Sequence, residues 1–215
     1  MSRRLILIRH GRVEFSAQNF RDSPRGRQWD PPLGEEGAQQ ARLLATRLHS
    51  LDTLAAVYVS PFRRCLETIA PFAEKVGIEP VLDEDLGEVF VADWEGRSFE
   101  EIAADDEELA QKFREAEVLF SLSGGESGQQ LRARVRPAVE RIIDTHPDGD
   151  LVVVSHGGVI NAYVTGLLKF PHDMLYLPEN TSFNTVVIDG HERTVKFLND
   201  VRHLTSPGLF GASGT

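Results

Sequence analysis

Two hydrophobic patterns alternate along the chain: short uninterrupted apolar runs, and apolar residues at helical spacing. Two short runs are apolar without interruption, Leu5-Ile6-Leu7-Ile8 and Leu151-Val152-Val153-Val154, which is typical of strands buried on both faces of a sheet. Between them, apolar residues recur at helical spacing over residues 35–51, 62–76 and 131–142. The alternation predicts an α/β fold, a three-layer α/β/α sandwich in which helices cover both faces of a mostly parallel central sheet.

Other stretches depart from these patterns. Residues 12–32 are polar and rich in arginine, and we interpret them as an irregular functional loop. Residues 97–123, helical in pattern from residue 99, are interpreted as a lid or insertion, and Pro71 is expected to break or kink the helix that contains it. The Gly- and Ser-rich end at 206–215 predicts a disordered tail, which leaves a single domain over residues 1–205.

The composition excludes several classes of function. The 215 residues are 41% hydrophobic and carry 23 basic against 33 acidic side chains, a net charge of −10. Such a surface repels nucleic acids and anionic membranes, so we expect neither as a partner. No apolar stretch approaches the roughly 20 residues of a membrane span. Cys65 is the only cysteine, which excludes an intrachain disulfide and is consistent with a cytoplasmic protein.

Histidines follow both of the strongest predicted strands. His10 comes after the first and His156 after the second, and each is followed by glycine. An open α/β sheet binds its ligand at the carboxyl ends of its strands, so both side chains are expected at the ligand crevice. A metal centre on these two residues is possible by residue type, but Arg9 beside it would repel a cation. We therefore predict a site without a metal ion.

Six motifs in a fixed order resemble those of the histidine phosphatase superfamily, also called the phosphoglycerate mutase-like family. The resemblance extends from Leu5 to about Leu204 and implies a phosphoglycerate mutase-like fold. The motifs are Arg9-His10-Gly11, Leu33-Gly34-x-x-Gly37-x-x-Gln40-Ala41, Ser60-Pro61-Phe62-Arg63-Arg64-Cys65-Leu66-Glu67-Thr68, Leu86-Gly87-Glu88 with Trp94-Glu95-Gly96, Gly124-Gly125-Glu126-Ser127, and Ser155-His156-Gly157-Gly158.

This resemblance implies a role for each member of the site. His10 is implied to be the nucleophile that takes the phosphoryl group, and Glu88 the proton donor to the leaving oxygen. Nearby arginines keep an imidazole neutral and therefore nucleophilic, and fixed donors stabilise the charge of the transferred group. The groups implied to surround the phosphoryl oxygens are Arg9, Arg64, His156 and the backbone N–H of Gly157.

Contacts to the rest of the substrate are predicted from the arginine-rich loop. Many relatives carry a hydroxyl and an amide where this chain has Val13 and Ser16, so Ser16 or Asn19 is expected to substitute. The loop leaves directly from the first histidine motif and must border the phosphate pocket. Its cations Arg21 and Arg25 are therefore predicted to attract an anionic substrate.

The expected activity is metal-independent hydrolysis of a small phosphomonoester, with no cofactor. Phosphoglycerate mutase-type transfer is the first alternative, disfavoured because residues 97–123 carry few cations and no tyrosine. A non-catalytic module that binds phosphorylated ligands is the second. An aspartyl-phosphate enzyme is a weaker alternative. It needs an Asp-x-Asp pair after a buried strand, and only two apolar residues precede Asp83 and Asp85. The sequence predicts neither the physiological substrate nor the oligomeric state.

Overall fold

A six-stranded sheet forms the centre of the computed structural model, which describes residues 3–105, 107, 111 and 124–205. The predicted tail at 206–215 and most of the predicted lid at 97–123 lie outside the described residues. In chain order the strands are β1 (Arg3–Arg9), β2 (Phe20–Ser23), β3 (Gly26–Trp29), β4 (Leu54–Val59), β5 (Val81–Leu82), β6 (Asp150–Ser155), β7 (Phe183–Asp189) and β8 (Glu192–Asp200).

The order of strands in the sheet is β5-β4-β6-β1-β7-β8. Pairs among β5, β4, β6 and β1 are parallel, whereas β7 runs antiparallel to both of its neighbours. The central pair, β1 and β6, is in register with Arg9 opposite Ser155. The predicted histidines, one residue further along each strand, are therefore neighbours at the carboxyl edge of the sheet.

The part of the chain that the structure describes contains five α-helices: α1 (Glu35–Leu48), α2 (Arg63–Val76), α3 (Phe99–Asp105), α4 (Gly128–Thr145) and α5 (Gly157–Leu168). Side chains of β1 alternate between two cores. Leu5 and Leu7 belong to the core that contains α4 and α5, whereas Ile6 and Ile8 belong to the core that contains α1 and α2. Burial on both faces explains the unbroken apolar run and confirms the predicted three-layer α/β/α sandwich.

Two local predictions need correction. The helix α2 is not broken at Pro71 but continues through it, because the apolar face formed by Cys65, Ile69 and Phe72 remains buried along its length. The loop at 12–32 is also less irregular than expected, since β2 and β3 pair as an antiparallel hairpin within it. Its strands are mostly polar, so they lack the apolar alternation that marks a strand in sequence.

Among the described helices, none combines the length and the apolar character that crossing a membrane requires. The helical pattern expected from residue 99 begins as α3 at that position, and α3 ends at Asp105. The remainder of that predicted helix falls mostly on residues that the structure does not describe.

Candidate active site

The carboxyl edge of the sheet brings the predicted catalytic residues together. His10 follows β1, Arg64 lies in the first turn of α2, and Glu88 lies in the segment between β5 and α3. These three side chains and Arg9 line one cavity of about 330 Å³. His156 follows β6, and its ring centroid lies 5.3 Å from that of His10. Residues separated by up to 147 positions in the chain therefore meet at one site.

The imidazole of His10 is held in one tautomer. Its Nδ1 lies 2.8 Å from the carbonyl oxygen of Gly11, and a carbonyl can only accept, so Nδ1 carries the hydrogen. The lone pair is therefore on Nε2. Burial lowers the pKa of His10 well below its ordinary value, and the cations of Arg64 and Arg9 lower it further. The ring is thus neutral and nucleophilic near physiological pH.

Two guanidinium groups provide the positive charge of the cavity. Arg9 Nη1 donates to the carbonyl oxygen of Pro178 at 2.6 Å, while its buried Nε has no partner among the described residues. Arg64 Nη1 donates to the carbonyl oxygen of Trp29 at 3.0 Å, and its guanidinium lies 4.6 Å from the ring centre of Phe62. A buried donor without a partner is costly, so this site favours an anion.

His156 is completely buried beside His10. Its Nε2 lies 2.8 Å from Ser60 Oγ, and its Nδ1 has no hydrogen-bond partner within the described chain. In the tautomer in which Ser60 donates to Nε2, the ring hydrogen lies on Nδ1, which is then a free donor. Burial, followed by the charge of Arg64, lowers the pKa of His156 well below its ordinary value. Gly157 begins α5, whose first N–H groups have no acceptor within the helix.

Hydrogen bonds hold both the backbone and the side chain of Glu88. Its carbonyl oxygen accepts from Gln28 Nε2 at 3.1 Å and from Arg134 Nη2 at 3.3 Å, and its Oε1 accepts from the N–H of Val89 at 3.0 Å. Burial raises the pKa of the Glu88 carboxyl, against the opposing effect of Arg64. This carboxyl keeps its proton to a higher pH than an exposed glutamate does, as a general acid requires.

Sequence reasoning missed several supporting residues. A Cβ added to Gly158 would lie 2.6 Å from Glu88 Oε1, so the second glycine of the Gly157-Gly158 pair makes room for the acid. Thr68 Oγ1 accepts from the N–H of Gly11 at 2.8 Å. Asn180 Nδ2 donates to the carbonyl oxygen of His10 at 2.8 Å. Gly158 and Thr68 lie in motifs quoted above, whereas Asn180 carries no sequence signal.

The four residues predicted to contact substrate do not line the cavity: Ser16, Asn19, Arg21 and Arg25. Ser16 Oγ instead donates to Glu14 at 2.7 Å. Arg21 forms an ion pair with Glu84 at 2.8 Å, and Arg25 donates to the backbone carbonyl of Glu84 at 3.0 Å. The hairpin of β2 and β3 thus directs both arginines to Glu84, Arg21 to its carboxylate and Arg25 to its backbone carbonyl, rather than into the cavity.

The described residues also form no group of three or more histidine, cysteine, aspartate or glutamate side chains that could hold a metal ion. Among the described residues, Arg9 Nε at the cavity and His156 Nδ1 beside His10 are buried nitrogen atoms without a hydrogen-bond partner. Nitrogen donors beside two guanidinium groups suit phosphate oxygens rather than a cation.

Comparison with known proteins identifies similar chains of this fold. The sequence profile of the histidine phosphatase superfamily (branch 1) matches residues 5–201. Phosphoglycerate mutase-like protein 4 of Arabidopsis thaliana is 30% identical over 208 residues, covering 95% of this chain and 88% of its own length. The glucosyl-3-phosphoglycerate phosphatase of Mycobacterium tuberculosis is 33% identical over 178 residues, covering 79% and 77%.

A solved structure of the mycobacterial glucosyl-3-phosphoglycerate phosphatase with inorganic phosphate superimposes with a TM-score of 0.78 at 28% identity. The match covers 94% of this chain and 99% of that one. Some relatives are longer, since the chain spans 41% of a Mycobacterium tuberculosis protein described as bifunctional.

Proposed function

The chain belongs to the histidine phosphatase superfamily, and from this premise we propose that it hydrolyses phosphomonoesters through a phosphohistidine on His10 without a metal ion. One observation carries the proposal. The neutral His10 ring is locked by Gly11 with its lone pair on Nε2, in a cavity that also holds Arg9 and Arg64. A histidine with a free lone pair, two guanidinium groups and a carboxyl group with a raised pKa at one cavity support the proposal.

In the first step, the Nε2 lone pair of His10 attacks phosphorus. An N–P bond forms while the bond between phosphorus and the ester oxygen breaks, and the carboxyl of Glu88 gives its proton to the leaving oxygen. The guanidinium groups of Arg9 and Arg64 hold the phosphoryl oxygens, together with His156 Nδ1. A fixed donor of this kind is typically worth about 3–4 kcal/mol of transition-state stabilisation.

In the second step, water attacks the phosphoryl group on His10. The carboxylate of Glu88 accepts a proton from that water, the N–P bond breaks, and inorganic phosphate leaves with the enzyme restored. The burial of Glu88 supports both duties, because it raises the pKa of the carboxyl toward the pH at which the enzyme works.

Hydrolysis is favoured over phosphoryl transfer between two substrate positions. A mutase must retain its anionic intermediate, which requires a further free cation near the phosphate pocket. Among the described residues that line the cavity, Arg97 is the remaining cation, and it is bound to Asp105 at 2.6 Å. The presence of both a nucleophile and an acid argues against a module that only binds phosphorylated ligands.

Steady-state phosphate release tests this proposal. Activity on 4-nitrophenyl phosphate should persist in excess EDTA and fall by about 10³-fold or more in His10→Ala. The control is His191→Ala, which removes an exposed histidine from the turn between β7 and β8 and should retain full activity. Activity that is lost to EDTA and restored by Mg²⁺, or that survives in His10→Ala, would contradict the proposal.

A further inference from the structure

The cavity changes character away from its phosphate-binding groups. Beyond His10 and the arginines its wall is largely apolar and aromatic. Phe15 marks the mouth, because 67% of its surface is exposed, and its ring centroid lies 5.8 Å from that of Trp29. The apolar residues of this wall, which we call the apolar wall, are Val13, Phe15, Trp29, Val89, Trp94 and Ile102.

The uncharged and acidic polar side chains beside the apolar wall are already engaged. Gln28 is buried, and its Oε1 accepts from Ser23 Oγ at 2.7 Å while its Nε2 donates to backbone carbonyls. The carboxylate of Glu95 accepts from the N–H of Trp29 at 2.8 Å and from the N–H of Val91 at 3.1 Å. Both amide hydrogens of Gln28 are therefore used, and each carboxylate oxygen of Glu95 already accepts one hydrogen bond.

The cation of this region is engaged as well. Arg97 Nη2 donates to Asp105 at 2.6 Å and to the carbonyl oxygen of Glu101 at 2.8 Å. Its positive charge is thus paired with Asp105, a carboxylate that is 65% exposed. The other described cations at the cavity are Arg9 and Arg64, both of the phosphoryl site, and Arg64 Nη1 also lies 3.6 Å from Asp30 Oδ1. A second acidic group on a substrate would find no free partner at the apolar wall.

From these contacts we infer that the enzyme prefers phosphomonoesters whose leaving group is an uncharged apolar or aromatic alcohol. The inference rests on the proposed function, since it concerns the other half of the same substrate. Aromatic rings pack favourably against the edges and faces of Phe15 and Trp29. A carboxylate or several hydroxyls buried against the described residues of the apolar wall would lose hydration that these residues do not replace. The names of several relatives point instead to highly polar substrates.

A series of phosphate esters with similar alcohol chemistry tests this inference. Ethyl, butyl and hexyl phosphate differ in apolar area, whereas glycerol 3-phosphate and phosphoserine add hydroxyl or charged groups. We expect kcat/KM to rise about threefold for each methylene that reaches the apolar wall. 2-Phenylethyl phosphate should exceed both polar esters by at least about 30-fold, because all of these alcohols leave with comparable difficulty.

A pair of matched variants locates the effect. In Phe15→Ala, the ratio of kcat/KM for 2-phenylethyl phosphate to that for glycerol 3-phosphate should fall about fivefold, because one side of the apolar wall is removed. Phe197→Ala removes an equally bulky ring that is 52% exposed on β8, and it should leave the ratio unchanged.

The outcomes separate the two proposals. Equal or better hydrolysis of phosphoserine and glycerol 3-phosphate would overturn the preference while leaving phosphatase activity intact. An unchanged ratio in Phe15→Ala would likewise overturn the role of the apolar wall. No phosphate release from any ester, 4-nitrophenyl phosphate included, would contradict the proposed function itself and the inference with it.

Discussion

Replacing Gly158 by alanine tests Glu88 as the proton donor without removing its carboxyl. The new Cβ would lie 2.6 Å from Glu88 Oε1, whereas ordinary contacts of this kind begin near 3.4 Å. The nearest other side-chain atom belongs to Leu131 at 3.6 Å, which is already an ordinary contact. The strain therefore falls on the end of a flexible side chain, and the carboxyl moves by about 0.8 Å.

The expected consequence is loss of catalysis without loss of stability. A displacement of about 1 Å in a catalytic group can cost about 10²-fold in rate, so kcat for hexyl phosphate should fall roughly 10- to 100-fold. Glycine replaced by alanine in a helix gains up to about 1 kcal/mol, so the melting temperature of Gly158→Ala should be unchanged or higher.

Leaving groups of different acidity distinguish a displaced acid from general damage. Hexanol needs a proton in order to leave, whereas 4-nitrophenolate leaves without one. The first-turnover burst of nitrophenolate from 4-nitrophenyl phosphate, which precedes the hydrolytic step, should therefore slow much less. Gly166→Ala is the matched control, because it lies in the same helix and a Cβ there meets nothing within 4 Å. Equal losses on both substrates, or full activity on hexyl phosphate, would refute the assignment of Glu88.

Two further predictions concern pH and the hairpin arginines. With hexyl phosphate, kcat/KM should decline as the pH rises through the raised pKa of Glu88 and as it falls through the lowered pKa of His10, because kcat/KM reports the groups of the free enzyme. In Glu88→Gln the alkaline decline should disappear, and its persistence would assign that limb to another group. In the double variant Arg21→Ala/Arg25→Ala, KM should stay within about twofold of the wild-type value. The melting temperature should fall only slightly, because a surface ion pair such as Arg21–Glu84 contributes about 0–1 kcal/mol to the free energy of unfolding. A several-fold rise in KM would show that these arginines do contact substrate.

The phosphate end of the site could be predicted because it depends on regular structure. Apolar runs identify β1 and β6, and the carboxyl-edge rule then places His10 and His156 at one crevice without knowledge of any contact. Glu88 has no such support, since it lies in an irregular segment, and the motif resemblance alone pointed to it. The hydrogen bond between Ser60 and His156 could not be predicted, because a serine in a sequence motif does not indicate which side chain it contacts.

The leaving-group end could not be predicted from the same rules. The arginines of residues 12–32 were predicted to contact substrate, yet Arg21 binds Glu84. Trp29, by contrast, is the aromatic residue of the hairpin that lines the cavity. Which side of a polar hairpin faces a pocket depends on the partners that other segments supply. Phe15 likewise lies outside any periodic element, so its place at the cavity mouth follows from tertiary structure.

Trapping the covalent intermediate tests the central claim most directly. With radiolabelled 4-nitrophenyl phosphate the leaving group departs fast, so the phosphoryl-enzyme should accumulate and be caught by a rapid alkaline quench. We expect a burst of nitrophenolate close to one per active site, with label that is stable to base, labile to acid and absent from His10→Ala. Label that resists acid, or that persists in His10→Ala, would show that the phosphoryl group does not pass through this histidine.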